Sequence, residues 1–301
     1  MTHHRWLAAL TAAALLCAVL ACSGSPPPTR GSTVAHDDFG DSVVVDPSHR
    51  PTRIVSLNPT TTEILFAIGA GSRVVGRSTY DVFPDSARAV TDVGVSLRPN
   101  VEAVLAVHPD LVILYASNDN RPAAQRFHQA GVRTLSLKID SITAFQRDTR
   151  LLGRLTGDSV SAYTLVDSVS ATLARVRAAT KGLPRPTVFI PTWDRPLIAI
   201  GGGSFLSQLL DIAGGRNIYE DVTPPSAVVT LEDVAKRNPD YVMTSPAATP
   251  NLNNDPKWRA LAAVRQGHVL VYDTMLVGRP SVTLGAAAHL FADLLHPGAV
   301  R

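Results

Sequence analysis

Cysteine is almost absent from this chain: its 301 residues contain only two, Cys17 and Cys22. Both precede residue 23, and no cysteine follows them. The part of the chain that folds therefore forms no disulfide and performs no thiol chemistry, whatever the redox state of its compartment.

Long apolar runs and clusters of positive charge are also scarce. Apart from residues 6–21, no segment approaches the run of about 20 apolar residues that a membrane-spanning helix needs. Arg5 is the only one of the 28 Lys and Arg residues in that first region, which leaves 27 against 25 Asp and Glu. Without a basic stripe or an aromatic platform, a nucleic-acid partner is not expected.

The motifs of common enzyme classes are missing too. There is no Walker loop, no dinucleotide fingerprint and no Gly-x-Ser-x-Gly elbow, and the glycine run at 201–204 is interpreted as a turn before a helix. The histidines are scattered and lack the spacing of zinc or manganese ligands. Neither catalysis nor a bound metal or other cofactor is expected.

What the chain does contain is one short pattern that occurs twice, 130 positions apart. The copies read Val-Glu-Ala-Val-Leu-Ala-Val-His-Pro-Asp-Leu-Val-Ile at 101–113 and Leu-Glu-Asp-Val-Ala-Lys-Arg-Asn-Pro-Asp-Tyr-Val-Met at 231–243. Each predicts a short helix with an exposed Glu near its start, a Pro that ends the helix, and a buried parallel strand. The repeat predicts two related lobes that present Glu102 and Glu232 at equivalent places. Chance similarity between two ordinary helix–strand units is the alternative.

The first 36 residues indicate export. A basic start is followed by a run of Leu, Ala and Val that ends just before Cys22. Residues 1–21 resemble a lipoprotein signal peptide, with Cys22 as the acylated first residue of the mature protein. Residues 22–36 then form a flexible tether between the lipid and the folded part. A plain secretory signal cut near Ala21 is the alternative. Either reading predicts a protein of the periplasm or cell surface, and the first one a membrane-anchored lipoprotein.

The remaining chain predicts an α/β fold of two Rossmann-like lobes with central parallel sheets. Apolar strands alternate with helical segments over 37–140 and again over 181–301. Between them, residues 141–180 keep helical spacing without strand signals, which predicts one long, rigid helix joining the lobes, loosened near Gly153 or Gly157. Near the start of the first lobe, Thr60 and Glu63 fit a capping box that opens a helix.

The chain resembles the helical-backbone periplasmic binding proteins that feed cobalamin, haem and iron–siderophore complexes to ABC importers. The resemblance covers 37–297 and implies limited hinge closure of a monomeric binding protein. It is carried by the order and spacing of several segments: Arg-Ile-Val-Ser-Leu-Asn-Pro-Thr-Thr-Thr-Glu at 53–63, Val-Val-Gly at 74–76 with Tyr80, the twin Glu helices, Leu-Leu-Asp-Ile-Ala-Gly-Gly-Arg-Asn-Ile at 209–218, and Leu-Leu-His-Pro at 294–297.

In this family, two glutamates at the lobe tips meet arginines of the permease dimer. Glu102 and Glu232 match those positions, so the resemblance implies that they dock the protein on its permease. Two equivalent exposed carboxylates also suit a two-fold symmetric partner on physical grounds. Such pairs set orientation and on-rate more than stability.

Within the family, the cobalamin-binding subgroup is the most similar, and it sandwiches a corrin between aromatic side chains. Ser96 and Ser226 stand where that subgroup has tryptophans, so a less aromatic cleft is expected. The resemblance implies five aromatic or polar contacts to the ligand: Tyr80, Tyr115, Trp193, Asp273 and Arg279.

Other cargoes and one other role stay open. Haem binders usually offer a Tyr or His just before the first Glu helix, where this chain has Ser-Leu-Arg at 96–98. A scaffold lipoprotein that kept the fold and lost its ligand is the third alternative. Siderophore binders grip an anionic iron chelate with Arg and Tyr side chains, and four residues here suit that role: Arg77, Tyr80, Arg195 and Arg279.

Overall fold

The structure is a computed structural model that describes residues 31–300. The predicted signal peptide, the acylated Cys22 and most of the tether lie outside the described residues. None of the helices within 31–300 is long and apolar enough to cross a membrane.

The first lobe is built on a parallel sheet. A hairpin of β1 (Thr33–His36) and β2 (Ser42–Val45) leads into it. Its strands and helices are β3 (Ile54–Ser56), α1 (Pro59–Ala67), β4 (Val74–Arg77), α2 (Val101–Leu105), β5 (Leu111–Tyr115), α3 (Arg121–Gln129) and β6 (Arg133–Leu137). The strand order is β4-β3-β5-β6, and every pairing is parallel. The lobe therefore has the predicted alternation of strand and helix.

The second lobe repeats this plan and adds a small antiparallel sheet. Its strands are β7 (Thr187–Phe189), β8 (Pro191–Asp194), β9 (Leu197–Ile200), β10 (Arg216–Asn217), β11 (Ser226–Val228), β12 (Tyr241–Thr244) and β13 (Val269–Val271). Its helices are α6 (Phe205–Ile212), α7 (Leu231–Arg237), α8 (Thr249–Asn254), α9 (Ala262–Arg265), α10 (Thr274–Val277) and α11 (Leu284–Leu295). The parallel sheet has the order β10-β7-β12-β13, and β11-β9-β8 forms the antiparallel one. Both parallel sheets thus connect their strands in the same way.

The two copies of the sequence pattern occupy equivalent places in the two sheets. α2 leads into β5 and α7 leads into β12, and each of these strands lies at the centre of its sheet. The residue before each Pro-Asp adopts the left-handed conformation, with φ of 48° at His108 and 46° at Asn238. Left-handed backbone is uncommon outside glycine, so its recurrence at matching positions argues against chance similarity.

The Asp of each copy also makes the same hydrogen bonds. Thr52 donates to Asp110 Oδ2 from its backbone N at 2.7 Å and from Oγ1 at 2.8 Å. Thr187 donates to Asp240 Oδ2 from the same two atoms at the same two distances. Each carboxylate therefore fixes the start of the neighbouring central strand, β3 or β7.

The connection between the lobes differs from the expected single helix over 141–180. The structure has two helices, α4 (Ile142–Thr156) and α5 (Ser159–Thr180), separated at Gly157, whose φ is 82°. Left-handed glycine is a common helix terminator. A Cβ at Gly153 would lie 2.4 Å from Ala162 Cβ, so the two helices pack closely as an antiparallel pair. The long connection is therefore α5 alone, whose 22 residues span about 33 Å.

One hydrophobic cluster runs through both lobes and the connecting helix. It contains Ile54 and Leu111 of the first sheet, Leu173 of α5, Val188 of the second sheet and Phe291 of α11. Because these side chains are buried against one another, the lobes share a core and their relative orientation is fixed by packing.

The start of α1 also differs from the predicted capping box. The N-cap is Asn58, whose side chain accepts from Thr60 N at 3.1 Å, and Pro59 opens the helix. Asn is a strong N-cap and Pro is favoured at the first helical position. Glu63 is 2% exposed and lies in the interior. Its carboxylate is therefore free of the capping role that the local pattern suggested.

We expect Asp110→Ala and Asp240→Ala each to lower the free energy of unfolding by about 1–2 kcal/mol, since each removes a charged acceptor of two hydrogen bonds from a Thr. Asp110 also accepts from Arg53 N at 3.1 Å, so its loss should be similar or slightly larger. Chemical denaturation of the purified mature protein measures both.

Asp85→Ala is the matched control. The Asp85 side chain is 99% exposed, and its ion pair with Arg88 Nε is long, at 3.4 Å. That variant should unfold almost like the wild type. A loss at one of the two repeat positions and none at the other would contradict the energetic equivalence of the lobes.

Candidate functional site

A cavity of about 460 Å³ lies between the two lobes. Its first wall comes from segments that follow β3, β5 and β6, and includes Asn58, Tyr115 and Asp140. Its second wall includes Phe205 and Arg279 of the second lobe. In open parallel sheets, ligands bind outside the carboxyl ends of the strands, where the connections diverge to opposite faces. The cavity occupies that position in the first lobe.

Tyr115 presents its ring to this cavity while its hydroxyl is already engaged. The hydroxyl lies 2.9 and 3.0 Å from the two carboxylate oxygens of Asp140, to which it donates. Burial raises the pKa of Tyr115, and the hydrogen bond to Asp140 raises it further. The phenol therefore stays protonated at neutral pH. A ligand would meet the ring rather than a free hydroxyl.

The rim of the first lobe is held by a residue that sequence reasoning missed. Asn120 is fully buried, and its side-chain nitrogen donates to the backbone oxygens of Ser96 and Tyr115, both at 3.0 Å. Its side-chain oxygen accepts from Arg98 N at 2.9 Å. The loop that carries the half-exposed Leu97 is thereby pinned to the end of β5. An isolated Asn before a helix gives no sequence signal for such a role.

An ion pair joins the lobes at the wall of the cavity. Arg279, in the segment after α10, reaches Glu63 Oε1 on α1 with Nε at 2.6 Å and Nη2 at 2.5 Å. The Glu63 side chain is 1% exposed and that of Arg279 is 22% exposed. Burial raises the pKa of Glu63, and the guanidinium opposes that shift. The positive charge that faces the cavity is therefore already paired.

A second buried carboxylate organises the loop after β4. Asp81 accepts from Ser78 Oγ at 2.6 Å and from Thr62 Oγ1 at 2.7 Å. Burial raises the pKa of Asp81, which these hydrogen bonds partly offset. Ser78 Oγ lies 2.9 Å from Ser96 Oγ, so the loop after β4 is tied to the cavity rim. The same loop carries Tyr80.

A second cavity, of about 420 Å³, lies within the second lobe. It is bordered by segments that follow β7, β12 and β13, so it occupies the equivalent strand-end position of the second sheet. Trp193 is at its border and 64% exposed, and its Nε1 donates to Arg195 O at 3.1 Å. Gly278 borders both cavities, so the two lie side by side.

The structure brings some of the predicted ligand contacts together and leaves others apart. Tyr115 and Arg279 border the interlobe cavity, and Trp193 borders its neighbour. Tyr80 is 62% exposed and borders neither. Asp273 is exposed, and its carboxylate accepts from Met275 N at 2.8 Å as the N-cap of α10. A capping role satisfies Asp273 within its own segment.

Glu102 and Glu232 lie exposed in the first turn of their helices. Asn100 caps α2 by accepting from the backbone N of Glu102 and of Ala103, and Thr230 caps α7. A hydrogen bond with its own backbone, helped by Thr230, holds the pKa of Glu232 below its ordinary value. Glu232 is therefore ionised at neutral pH.

Metal ligands do not converge in the described part of the chain. Within residues 31–300, no group of three or more His, Cys, Asp or Glu side chains is placed to hold a metal ion.

The chain is similar to known proteins along most of its length. It matches the periplasmic binding protein family over residues 54–276. It is 28% identical, over 96% of its own length and 97% of the relative's, to YvrC of Bacillus subtilis, an uncharacterised ABC transporter substrate-binding lipoprotein.

Solved structures share the fold. The periplasmic vitamin B12-binding protein BtuF of Vibrio cholerae is 23% identical with a TM-score of 0.71, over 81% of this chain and 96% of BtuF. The periplasmic haem-binding protein RhuT of Roseiflexus sp. RS-1 is 23% identical with a TM-score of 0.72, over 80% and 98%. An ABC-type Fe3+-hydroxamate transport protein of Saccharomonospora viridis is 23% identical with a TM-score of 0.72, over 89% and 100%.

The family match spans well over half of the chain, and the same two-lobed fold recurs in these structures. The protein belongs to the periplasmic binding protein family, a family of ABC transporter substrate-binding proteins rather than enzymes.

Proposed function

We propose that the protein is an exported, lipid-anchored substrate-binding protein that holds a corrinoid, cobalamin, between its lobes and delivers it to an ABC importer. The observation that carries this choice of cargo is the charge of the interlobe cavity. Arg279 is the one basic side chain among the described residues that border it, and Glu63 already neutralises Arg279. The cavity is therefore suited to a ligand without strong negative charge.

Few basic side chains near the interlobe cavity are placed to bind an anionic iron chelate. Arg77 is 12% exposed, donates to Ser78 O and lies 3.6 Å from Asp92. Arg195 is 87% exposed and borders neither cavity. Of the four residues that suit a siderophore, only Arg279 borders the interlobe cavity. An unpaired anion placed there would be desolvated without compensation, which is unfavourable.

Haem is also less well supported as the cargo, because the described residues that border the cavities offer no ready ligand for its iron. Among the described residues that border the two cavities there is no histidine. Tyr115 is the tyrosine of the interlobe cavity, and its hydroxyl donates to Asp140. Since burial and that carboxylate raise its pKa, it resists the deprotonation that an iron ligand requires.

A corrinoid would use the apolar and polar groups that are present. Corrin faces are apolar, and Tyr115, Leu97 and Phe205 offer apolar surface. Corrinoid rims carry neutral amides, which can pair with Asn58 or with the Asp140 carboxylate. Trp193, exposed at the border of the neighbouring cavity, supplies aromatic surface beyond the interlobe cavity itself.

The docking proposal assigns Glu102 and Glu232 to contacts with a two-fold symmetric permease. It is supported by their equivalent positions in the two repeats and by their exposure at helix starts. Complementary charges placed in this way steer the diffusional encounter of two proteins and fix their relative orientation. The anchoring proposal assigns Cys22 to acylation, and the lipoprotein relative in Bacillus subtilis supports it.

For the cargo, we expect calorimetric titration with cyanocobalamin to show saturable one-to-one binding. Trp193→Ala and Tyr115→Ala should each weaken it about tenfold, because each removes an aromatic contact area. Tyr163→Ala, which removes a surface tyrosine of α5, is the matched control and should bind like the wild type. If titration with a ferric siderophore or with haem gives a heat of binding and titration with cyanocobalamin gives none, the cargo is that other ligand.

For docking, we expect the double variant Glu102→Ala, Glu232→Ala to take up labelled cargo more slowly in the producing cells while binding it with unchanged affinity. Both residues are exposed in the first turns of α2 and α7, and neither is among the described residues that border the interlobe cavity, so transport and binding should separate. Glu220→Ala, an exposed glutamate of the second lobe, serves as the control. Uptake by the double variant at the wild-type rate would refute the docking role.

For anchoring, Cys22→Ser should release the protein from the membrane fraction or leave its signal peptide uncut, since serine accepts no thioether-linked lipid. Fractionation with mass determination of the N-terminus measures both outcomes. Normal processing together with unchanged membrane association would contradict the assignment and favour another anchor.

A further inference from the structure

The ion pair between Glu63 and Arg279 leaves one nitrogen of the guanidinium without a protein partner at the interlobe cavity. Nε and Nη2 of Arg279 lie 2.6 and 2.5 Å from Glu63 Oε1. Nη1, the third nitrogen, forms no hydrogen bond within residues 31–300. Arg279 borders the cavity, whereas Glu63 is buried in α1 and does not border it. A ligand in the cavity therefore meets a hydrogen-bond donor whose positive charge is balanced from inside the first lobe.

The burial of this pair indicates a role other than stability. Moving two charges from water into the interior costs free energy that their attraction only partly offsets, and apolar residues of similar size often stabilise a protein equally well. The next two residues of α1, Ile64 and Leu65, are apolar and fully buried. What a carboxylate adds at position 63 is one negative charge beside Arg279.

Asp140 adds a second negative charge to the same cavity. It is the acidic residue, and Arg279 the basic one, among the described residues that border the cavity. The Tyr115 hydroxyl donates to Asp140, and Lys138 Nζ lies 3.9 Å from it with a side chain that is 59% exposed, so this ion pair is weak. With Glu63 included, two carboxylates surround one guanidinium. An anionic group of a ligand would therefore meet net negative charge while losing water, which is unfavourable.

A primary amide suits this wall better than a carboxylate of the same shape. The amide carbonyl accepts a hydrogen bond and the amide nitrogen donates two, whereas an ionised carboxylate only accepts. The wall offers a donor at Arg279 Nη1 and an acceptor at Asp140. A site of this kind rejects the wrong ligand because one of its polar groups then stays unpaired. The cavity is therefore matched to neutral amides.

We propose that Glu63 makes the interlobe cavity selective for fully amidated corrinoids over corrinoids that carry a free carboxylate at the rim. Glu63 acts through Arg279, so it is a positioning residue rather than a ligand contact. With its charge in place, Arg279 donates to a neutral carbonyl; without it, Arg279 becomes an unpaired cation that binds a carboxylate. The proposal rests on the corrinoid cargo proposed above and adds the chemical class of corrinoid that is bound.

The test compares cyanocobalamin with its monocarboxylic acids, in each of which one rim amide is hydrolysed, by calorimetric titration of the mature protein at neutral pH. The wild type should bind at least one acid about tenfold more weakly than cyanocobalamin, as expected for a charged group without a partner. Glu63→Gln keeps the shape of the side chain and removes its charge. It should strengthen the binding of that acid about tenfold and change cyanocobalamin far less, since the guanidinium can then bind the carboxylate.

Two further variants separate the charge effect from a general loss of structure. The double variant Glu63→Gln, Arg279→Gln should lose the gain, because the guanidinium that binds the carboxylate is absent. Asp148→Asn is the matched control: Asp148 is also 1% exposed and 2.6 Å from an arginine, Arg147, but neither residue borders the cavity. It should leave the ratio of the two affinities as in the wild type.

Circular dichroism identifies any variant that fails to fold, and Glu63→Met, an uncharged side chain of similar length, then takes the place of Glu63→Gln. Equal affinity of the wild type for cyanocobalamin and all the acids would overturn the selectivity while leaving the cargo proposal intact. So would equal changes for acid and cyanocobalamin in Glu63→Gln, or a gain that persists in the double variant. Binding of no corrinoid by the wild type would overturn the cargo and the selectivity together.

Discussion

The ion pair between Glu63 and Arg279 links the two lobes at the wall of the cleft and fixes the charge that the cleft presents. It connects α1 of the first lobe to the segment after α10, across 216 positions of sequence. The raised pKa of Glu63 means that the folded state favours the protonated form relative to the unfolded chain. Ionisation of this carboxylate at neutral pH therefore opposes folding, above the pKa of the unfolded chain. The pair therefore orients the Arg279 side chain and balances its charge, rather than adding to the free energy of unfolding.

The two cavities have different linings, although the two sheets have the same plan. In the first lobe, the groups at the strand ends are polar and paired, as with Tyr115 and Asp140. In the second lobe, the equivalent position opens onto Trp258 and Tyr272, and the phenol of Tyr272 has no partner among the described residues. The same backbone plan thus carries two differently lined cavities. The repeat concerns the backbone, whereas the lining depends on the side chains at the strand ends.

Much of the fold could be predicted because its signals are local. Strand and helix periodicities and the twin Pro-Asp pattern need only a few neighbouring residues, and the hydrogen bonds of Asp110 and Asp240 confirm their equivalence. The errors also have local causes. Thr60 and Glu63 fit a capping pattern, but Asn58 followed by Pro59 makes the stronger helix start. The break at Gly157 follows from one left-handed residue.

The candidate site was less accessible to sequence reasoning because its contacts are long-range. Glu63 and Arg279 carry no shared motif, and the second cavity is assembled from several separate segments. Resemblance located Tyr80 and Asp273 along the chain, but their positions depend on loop direction and capping. Tyr80 lies outward on its loop, and Asp273 is used at the start of α10. Neither outcome is encoded in the residue type.

The shared core has a consequence for the lifetime of the protein in the cell envelope. Ile54, Leu173 and Phe291 belong to one buried cluster that joins the lobes, beside a smaller cluster in each lobe. Unfolding of either lobe would expose part of the shared cluster to water, which couples the unfolding of one lobe to that of the other. A ligand that binds only the folded form would then lower the population of unfolded chains as a whole, by mass action. A protease that cleaves unfolded chains would degrade loaded molecules more slowly than empty ones, and the supply of ligand would then set how much of the protein persists.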